Sequence, residues 1–104
     1  MIKKIGLLTF ILMMLAPCIQ AQNKLVNKAN KNYKDYSFSL AIDIYKRVLD
    51  KGYVSADLLK KLGNSYYFNG DYSEASEIYR QLLKEYPEAM ASDYYFRYAQ
   101  TLRS

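Results

Sequence analysis

Two side chains that could recognise a carboxylate lie one helical turn apart, at Lys60 and Asn64. A lysine cation and an amide donor at this spacing can both face one carboxylate of a partner, because charge-assisted hydrogen bonds to a carboxylate are stronger than neutral ones. Neither residue type at this spacing indicates covalent chemistry. The pair therefore suggests recognition, and the helix that carries it has to place both side chains on an open surface.

Catalytic side chains are scarce in the 104-residue chain. It has no His, and its single Cys, Cys18, falls in a segment that we expect to be removed. The remaining chain offers no imidazole base, no thiolate nucleophile and no zinc site. Two Glu pairs, 74 with 77 and 85 with 88, have i, i+3 spacing, but solvated surface or helix capping accounts for them better than acid–base work. The composition thus favours a binding module without catalytic residues, metal or cofactor.

The segment 1–21 predicts a secretory signal peptide. Lys3 and Lys4 precede an uncharged, mostly apolar run at 5–16, and the segment ends at the small residue Ala21. Twelve helical residues span about 18 Å, which is too short for a hydrocarbon core of about 30 Å. We expect cleavage after Ala21, which leaves Gln22 as the N-terminus and no transmembrane helix.

Lipidation of Cys18 is the alternative, although Pro17 is a poor residue to precede a lipidated Cys. Without Lys3 and Lys4 the 15 basic residues become 13 against 10 acidic ones, a net charge of +3. This small excess is spread along the chain, and with export it argues against a nucleic-acid partner.

An internal repeat organises the exported chain. When residue 38 is aligned with residue 72, the segment 38–49 falls on 72–83, and five of the twelve pairs are identical. The matched apolar residues recur at helical spacing, at 38, 41, 45, 48 and at 72, 75, 79, 82. Two equivalent amphipathic helices are the simplest explanation.

Further apolar stripes predict three more helices. They lie at Leu25, Val26, Ala29, Tyr33 and Tyr36; at Leu59, Leu62, Gly63 and Tyr66; and at Tyr95, Tyr98, Ala99 and Leu102.

Several residues predict where these helices begin and end. Ser55 is the predicted N-cap of the middle helix, and Ser92 or Asp93 that of the last. Gly70 suits a left-handed C-cap, and Asp71 with Glu74 suits a capping box.

The segment Ala56 to Ala89 resembles a tetratricopeptide repeat (TPR). The resemblance is carried by Leu62-Gly63-Asn64-Ser65-Tyr66-Tyr67, by Gly70-Asp71-Tyr72-Ser73-Glu74-Ala75, and by Tyr79 and Pro87. Leu59 replaces the family's Trp, and Leu82 a late small residue. The preceding unit fits less closely, at Ala41 and Tyr45. The resemblance implies an all-α fold of antiparallel helix hairpins in a short right-handed superhelical array.

The repeat pattern assigns packing roles to eight residues. Small side chains allow paired helices to approach closely, and large aromatic ones fill the space between helices. The packing residues are Leu62, Gly63, Tyr66, Ala75, Tyr79, Pro87, Ala41 and Tyr45.

The TPR resemblance also implies a concave face lined by the first helix of each repeat. In the clearest repeat, this face would carry Asp57, Lys60, Asn64, Tyr67 and Phe68. Lys60 and Asn64 match two positions of the carboxylate clamp that some TPR modules use, and Arg97 is a candidate for a third. Three interpretations stay open: a clamp, a less specific peptide groove, and a solvated face that binds nothing.

The predicted organisation is a signal peptide at 1–21, a degenerate helix pair at 22–55, a TPR at 56–89 and the first helix of a third repeat at 90–104. This order resembles the N-terminal region of exported OmpA-family proteins of the Bacteroidetes envelope. It implies a scaffold in the periplasm or at the periplasmic side of the outer membrane. The partner would be a protein, a peptide or further domains of the same polypeptide. A stand-alone periplasmic adaptor and a structural spacer remain alternatives. If the last helix is uncapped, self-association through it is expected.

Overall fold

The computed structural model describes residues 21–104, which form helices and turns without a β-strand. Most of the predicted signal peptide, 1–20, lies outside the described residues. The described part of helix α1 covers 21–34. It is followed by α2 (Phe38–Asp50), α3 (Ala56–Phe68), α4 (Tyr72–Glu85), a 3₁₀ turn (Pro87–Ala89) and α5 (Ser92–Arg103). The predicted all-α fold is confirmed.

The helices pack as consecutive hairpins. Helix α3 packs against both α2 and α4, and α4 packs against α5. The ring of Tyr33 in α1 meets that of Phe38 in α2, with centroids 5.8 Å apart. One continuous core runs between the helices, and its largest fully buried side chains are Tyr45, Tyr79, Leu59, Leu62, Leu82 and Val48.

Helices α3 and α4 approach each other closely at Gly63. A Cβ added to Gly63 would lie 2.7 Å from Cε1 of Tyr79, which is itself fully buried. Ala75, also fully buried, faces the same hairpin from α4. The prediction that these small residues permit close packing agrees with this geometry, since a larger side chain at 63 would force the ring of Tyr79 to move.

Some of the capping residues predicted for the ends of α3 and α4 are observed in the structure. The Ser55 hydroxyl accepts a hydrogen bond from the Leu58 amide at 3.1 Å, as an N-cap should. Gly70 has a φ of +85°, the left-handed conformation expected of a C-cap. The capping box predicted at Asp71 is wrong, because the Asp71 carboxylate makes no cap hydrogen bond and instead accepts one from the Asn69 side chain at 2.8 Å. Pro87 starts the 3₁₀ turn and is exposed, so it limits α4 rather than filling the core.

In the first repeat, the turn between helices has a different construction. The apolar stripe of α1 predicts Tyr36 on its buried side, but the helix ends at 34 and Tyr36 is 81% exposed with a φ of +62°. Tyr36 is the repeat equivalent of Gly70, so both repeats reverse direction through a left-handed residue. A left-handed conformation is costly for a residue with a Cβ. Because no glycine marks this turn, the residue pattern did not reveal it.

Helix α5 buries a different face from the one that its apolar stripe predicts. Its half-buried or buried residues are Tyr94, Arg97, Tyr98 and Thr101, whereas Tyr95 and Leu102 of the predicted stripe are 48% and 65% exposed. Of the four residues in that stripe, Tyr98 is half-buried and Ala99 is exposed. The N-cap predicted at Ser92 or Asp93 is also wrong: Ala91 occupies the position and makes no side-chain cap bond. Helix α5 packs on α4 through one side, so its other apolar side faces solvent.

Candidate functional site

Four helices meet around the side chain of Asn64. Its Nδ2 donates to the hydroxyls of Tyr33 at 3.1 Å and Tyr94 at 3.2 Å. Its Oδ1 accepts from the hydroxyl of Tyr79 at 2.8 Å and from Nη1 of Arg97 at 3.0 Å. An Asn side chain has two donors and two acceptor lone pairs, so all four positions are used. We call these five residues the Asn64 cluster.

Asn64 lies between helices rather than on an open surface, because it is only 4% exposed. It joins α1, α4 and α5 to α3. With its hydrogen-bonding capacity filled, Asn64 holds neighbouring side chains in position, and in particular it fixes the guanidinium of Arg97.

A smaller version of this contact occurs in the first repeat. The Tyr45 hydroxyl donates to Oδ1 of Asn30. Asn30 and Tyr45 are the repeat equivalents of Asn64 and Tyr79, so each repeat joins its two helices through the same pair of side chains. Extending the comparison of the repeats back to residue 30 would have found this pair, which the apolar pattern alone does not reveal.

The guanidinium of Arg97 is held between two aromatic rings. Its Cζ lies 5.4 Å from the ring centroid of Phe68 and 5.3 Å from that of Tyr94. Its Nη2 is 3.5 Å from a carboxylate oxygen of Asp93, an exposed and therefore weak ion pair. The Arg97 side chain remains 22% exposed. A rigidly held cation with an accessible edge can bind a carboxylate or a carbonyl oxygen.

A second cation lies on the same surface. The Nζ of Lys60 is 5.7 Å from the ring centroid of Tyr94, and among the described residues no carboxylate lies within ion-pair distance of it. Asp57, also predicted for this face, pairs instead with Lys61 at 3.0 Å. The ring of Tyr94 therefore has two cations close to it, and only one of them has an acidic neighbour.

Aromatic side chains continue the surface toward the turns between helices. The ring of Phe68, 50% exposed, stacks on Phe38 with centroids 5.3 Å apart. Phe38 contacts Tyr36, and Phe68 contacts Tyr67, which in turn contacts Tyr72. The Tyr67 hydroxyl donates to the Gln100 side chain of α5. We call Tyr36, Phe38, Phe68, Tyr67 and Tyr72 the aromatic row.

The structure thus places three of the five predicted concave residues on one surface beside Arg97, and a fourth, Asn64, is buried under it. Lys60, Tyr67 and Phe68 retain accessible side chains there, and Asn64 lies beneath them. Asp57, the fifth, is exposed next to Lys61. Sequence reasoning did not single out Tyr33, Tyr36 or Phe38 for this surface, because their places depend on how α1 and α2 pack against α3.

Burial raises the pKa values of three tyrosines around these contacts. The pKa of the Tyr79 phenol is raised mainly because its burial disfavours the charged phenolate, and this outweighs the neighbouring Arg97 cation, which lowers it. Burial likewise raises the pKa of Tyr45 and of Tyr94. All three phenols are therefore neutral hydrogen-bonding groups at pH 7. In the part of the chain that the structure describes, no group of three His, Cys, Asp or Glu residues could hold a metal ion.

One family comparison bears on this surface. Residues 58–89 match the family model described as the tetratricopeptide repeat. This segment contains α4 and nearly all of α3, and it includes Lys60, Asn64, Tyr67 and Phe68. A comparison with curated proteins gave no match. No helix among residues 21–104 is long and apolar enough to cross a membrane. The repeat match and the helix hairpins together support a TPR protein.

Proposed function

We propose that this protein is a non-catalytic interaction module that holds a protein or peptide on the surface formed by Lys60, Tyr67, Phe68 and Arg97. TPRs typically mediate protein–protein contacts, and the segment 58–89 matches that repeat. The observation that carries the proposal is the position of Arg97, clamped between Phe68 and Tyr94 and bonded to Asn64. A cation fixed in this way loses little conformational entropy when a partner binds.

The chemistry of the surface defines the partner. A carboxylate or backbone carbonyl of the partner would bind the open edge of Arg97, with Lys60 as a second positive charge. Apolar side chains of the partner would rest on Phe68 and Tyr67, because aromatic rings bury a large area at low entropic cost. The proposed ligand is therefore a peptide segment that combines an acidic group with apolar side chains.

Site-specific photo-crosslinking tests this proposal in the producing cell. A photoreactive phenylalanine analogue at Phe68 is expected to crosslink a defined partner, and the Lys60→Glu substitution in the same chain should abolish that crosslink. Leu40, which is 57% exposed on α2, is a matched position for the analogue outside the surface. Lys84→Glu on the exposed side of α4 is the matched charge change. The same products from Leu40, or crosslinks that survive Lys60→Glu, would contradict the proposal and favour a structural spacer.

We further propose that the module works in the cell envelope, as part of an OmpA-family protein. The support is the predicted signal peptide at 1–21, immediately followed by Tyr-rich repeats. Fractionation of the native cells with an antibody to residues 22–104 tests the location and the size of the product. A large outer-membrane band is expected. A small soluble periplasmic band would instead indicate a stand-alone adaptor.

The open side of α5 supports a second contact. Tyr95, Phe96 and Leu102 are 48%, 63% and 65% exposed, and together they form an apolar surface on one helix. We propose that this surface associates with another helix, either from a second copy or from the same polypeptide. Sedimentation of the purified chain at increasing concentration should reveal association. Monomeric behaviour that matches that of a Leu102→Lys variant would contradict association between copies.

A further inference from the structure

A small pocket lies at the C-terminal end of α5, next to the proposed binding surface. Its volume is about 320 Å³. It is lined by Tyr67, Tyr72, Gln100, Arg103 and Ser104. Tyr67 belongs to both the surface and the pocket, and its ring contacts that of Phe68 with centroids 5.4 Å apart. The pocket therefore continues the surface beyond Phe68 and is not a separate site.

The pocket is open because a small residue lies across from Tyr72. In the preceding repeat, the equivalent of Tyr72 is Phe38, which stacks on Phe68 with centroids 5.3 Å apart. Counted from the first residue of each helix, Phe68 of α3 corresponds to Ser104 after α5. Serine has no ring to stack on Tyr72, so the space that a phenylalanine fills in one repeat is a pocket in the next.

Arg103 supplies this pocket with a positive charge. It is exposed, and no carboxylate among residues 21–104 lies within ion-pair distance of its side chain. Two other lining residues are tied together, because the Tyr67 hydroxyl donates to the Gln100 side chain. A guanidinium can bind a carboxylate through two parallel hydrogen bonds. An acidic side chain of a partner is therefore the group that fits this pocket.

The two arginines of α5 define a spacing for acidic groups of the partner. Arg97 and Arg103 are six residues apart on one helix, which corresponds to about 9 Å along its axis. A peptide in polyproline II conformation repeats its side-chain direction every three residues, over about 9.3 Å. In a β-strand, by contrast, side chains three residues apart point to opposite faces. Acidic side chains at positions i and i+3 of a polyproline II segment therefore match the spacing of the two arginines.

We propose that the pocket at Arg103 is a second acid-binding subsite, and that one peptide in polyproline II conformation binds it together with Arg97 through acidic side chains three residues apart. The inference rests on the function proposed above, and it adds the spacing and the conformation of the ligand. The two peptide residues between the acids lie against Phe68 and Tyr67. Proline suits these two positions, because aromatic surfaces bind polyproline II segments. Such a segment is largely preformed, so it loses little conformational entropy on binding.

Calorimetric titration of synthetic peptides into the exported chain, purified from its producing cells, tests the inference. The reference peptide is Leu-Glu-Pro-Pro-Glu-Leu with blocked ends, so that its only charges are those of the glutamates. Companion peptides carry one, three or four prolines between the glutamates. The reference peptide should bind about two- to fivefold more tightly than the companions, because only its spacing allows both exposed ion pairs to form. Tightest binding at another spacing would overturn the inference.

The Arg103→Gln variant tests the second subsite directly. It should weaken binding of the reference peptide about two- to fivefold, as should replacement of one peptide glutamate by glutamine. The two changes together should weaken binding no further, because they remove the same contact. Lys84→Gln is the matched control, since both residues are exposed cations in the last turn of a helix, and it should leave the affinity unchanged.

The contrary outcomes separate this inference from the proposed function. Equal affinity of the natural chain and Arg103→Gln for the reference peptide would overturn the inference, and so would the absence of binding by every peptide. The photo-crosslink from Phe68 decides the proposed function separately, because it depends on the natural partner. A crosslink that is lost in Lys60→Glu would leave the proposed function intact in either case.

Discussion

Replacement of Asn64 by alanine should destabilise the protein more than any other Asn→Ala change on these helices. The substitution removes the acceptor of Tyr79, whose side chain is fully buried, and an unpaired buried hydroxyl costs about 1–3 kcal/mol. Arg97, Tyr33 and Tyr94 lose a partner too, but they are only half-buried and can reach water, so we assign them about 1 kcal/mol together. Alanine returns about 0.5 kcal/mol in helix propensity. The net expected loss is about 1.5–3.5 kcal/mol.

That loss is large for this protein. At about 0.05–0.15 kcal/mol per residue, a chain that begins at Gln22 has a free energy of unfolding of about 4–12 kcal/mol. Urea denaturation followed by circular dichroism measures the difference. The midpoint should fall with little change in the slope, because the surface exposed on unfolding is nearly the same.

Two further variants serve as reference points for the loss of stability in Asn64→Ala. Asn27 is exposed on α1, so Asn27→Ala should stay within about 0.5 kcal/mol of the natural chain. Asn30→Ala removes one hydrogen bond, to Tyr45, and should lie between the other two. If Asn64→Ala costs no more than Asn30→Ala, the four-helix role assigned to Asn64 is wrong. Adding Tyr79→Phe to Asn64→Ala should cost less than it does in the natural chain, because the two side chains are coupled.

Three other predictions concern backbone, packing and pH. Tyr36→Gly should stabilise the protein by about 0.5–1 kcal/mol, because it removes the cost of a tyrosine in the left-handed conformation. Gly70→Ala should destabilise the protein by about 1 kcal/mol, because it introduces a Cβ into that conformation. Equal effects of the same sign on the urea midpoint would refute this reasoning. Gly63→Ala should cost about 1–3 kcal/mol by overpacking against Tyr79, and an unchanged thermal midpoint would contradict it. Because the folded pKa values of Tyr45 and Tyr79 are raised above the ordinary value of 10.0, their stabilising effect is complete below about pH 10 and is lost as the pH rises above it. Absorbance of phenolate and circular dichroism should therefore change together in an alkaline titration, and ionisation of all tyrosines without unfolding would be the contrary result.

Several elements could be predicted because the signal is local. The helices α2 and α4 are found from the helical spacing of Ala41 and Tyr45 and of Ala75 and Tyr79, and all four of these side chains are fully buried. Ser55 as an N-cap and Gly70 as a left-handed C-cap depend on the conformation of a few neighbouring residues. Backbone geometry within a turn is enough to decide such features.

Other predictions were wrong because they concern which face of a helix packs against a neighbouring helix. The sequence of α5 has two overlapping apolar stripes, and only packing against α4 selects Tyr94, Tyr98 and Thr101 over Tyr95 and Leu102. Tyr36 fits the spacing of the α1 stripe, but the chain reverses direction before reaching it. Periodicity reports which residues share a face, and it does not report which face another helix covers.

The amino-acid sequence by itself determined the helical repeat, its period and the scarcity of catalytic side chains, because these follow from residue types and their spacing along one chain. Tertiary structure alone decided the arrangement at Asn64. Residues 33, 64, 79, 94 and 97 come from four helices, and their hydrogen bonds form only when these helices pack. Packing turns Asn64, which the sequence offered as a ligand-binding amide, into a buried support for Arg97, because an amide with four partners of its own has no free hydrogen-bonding position.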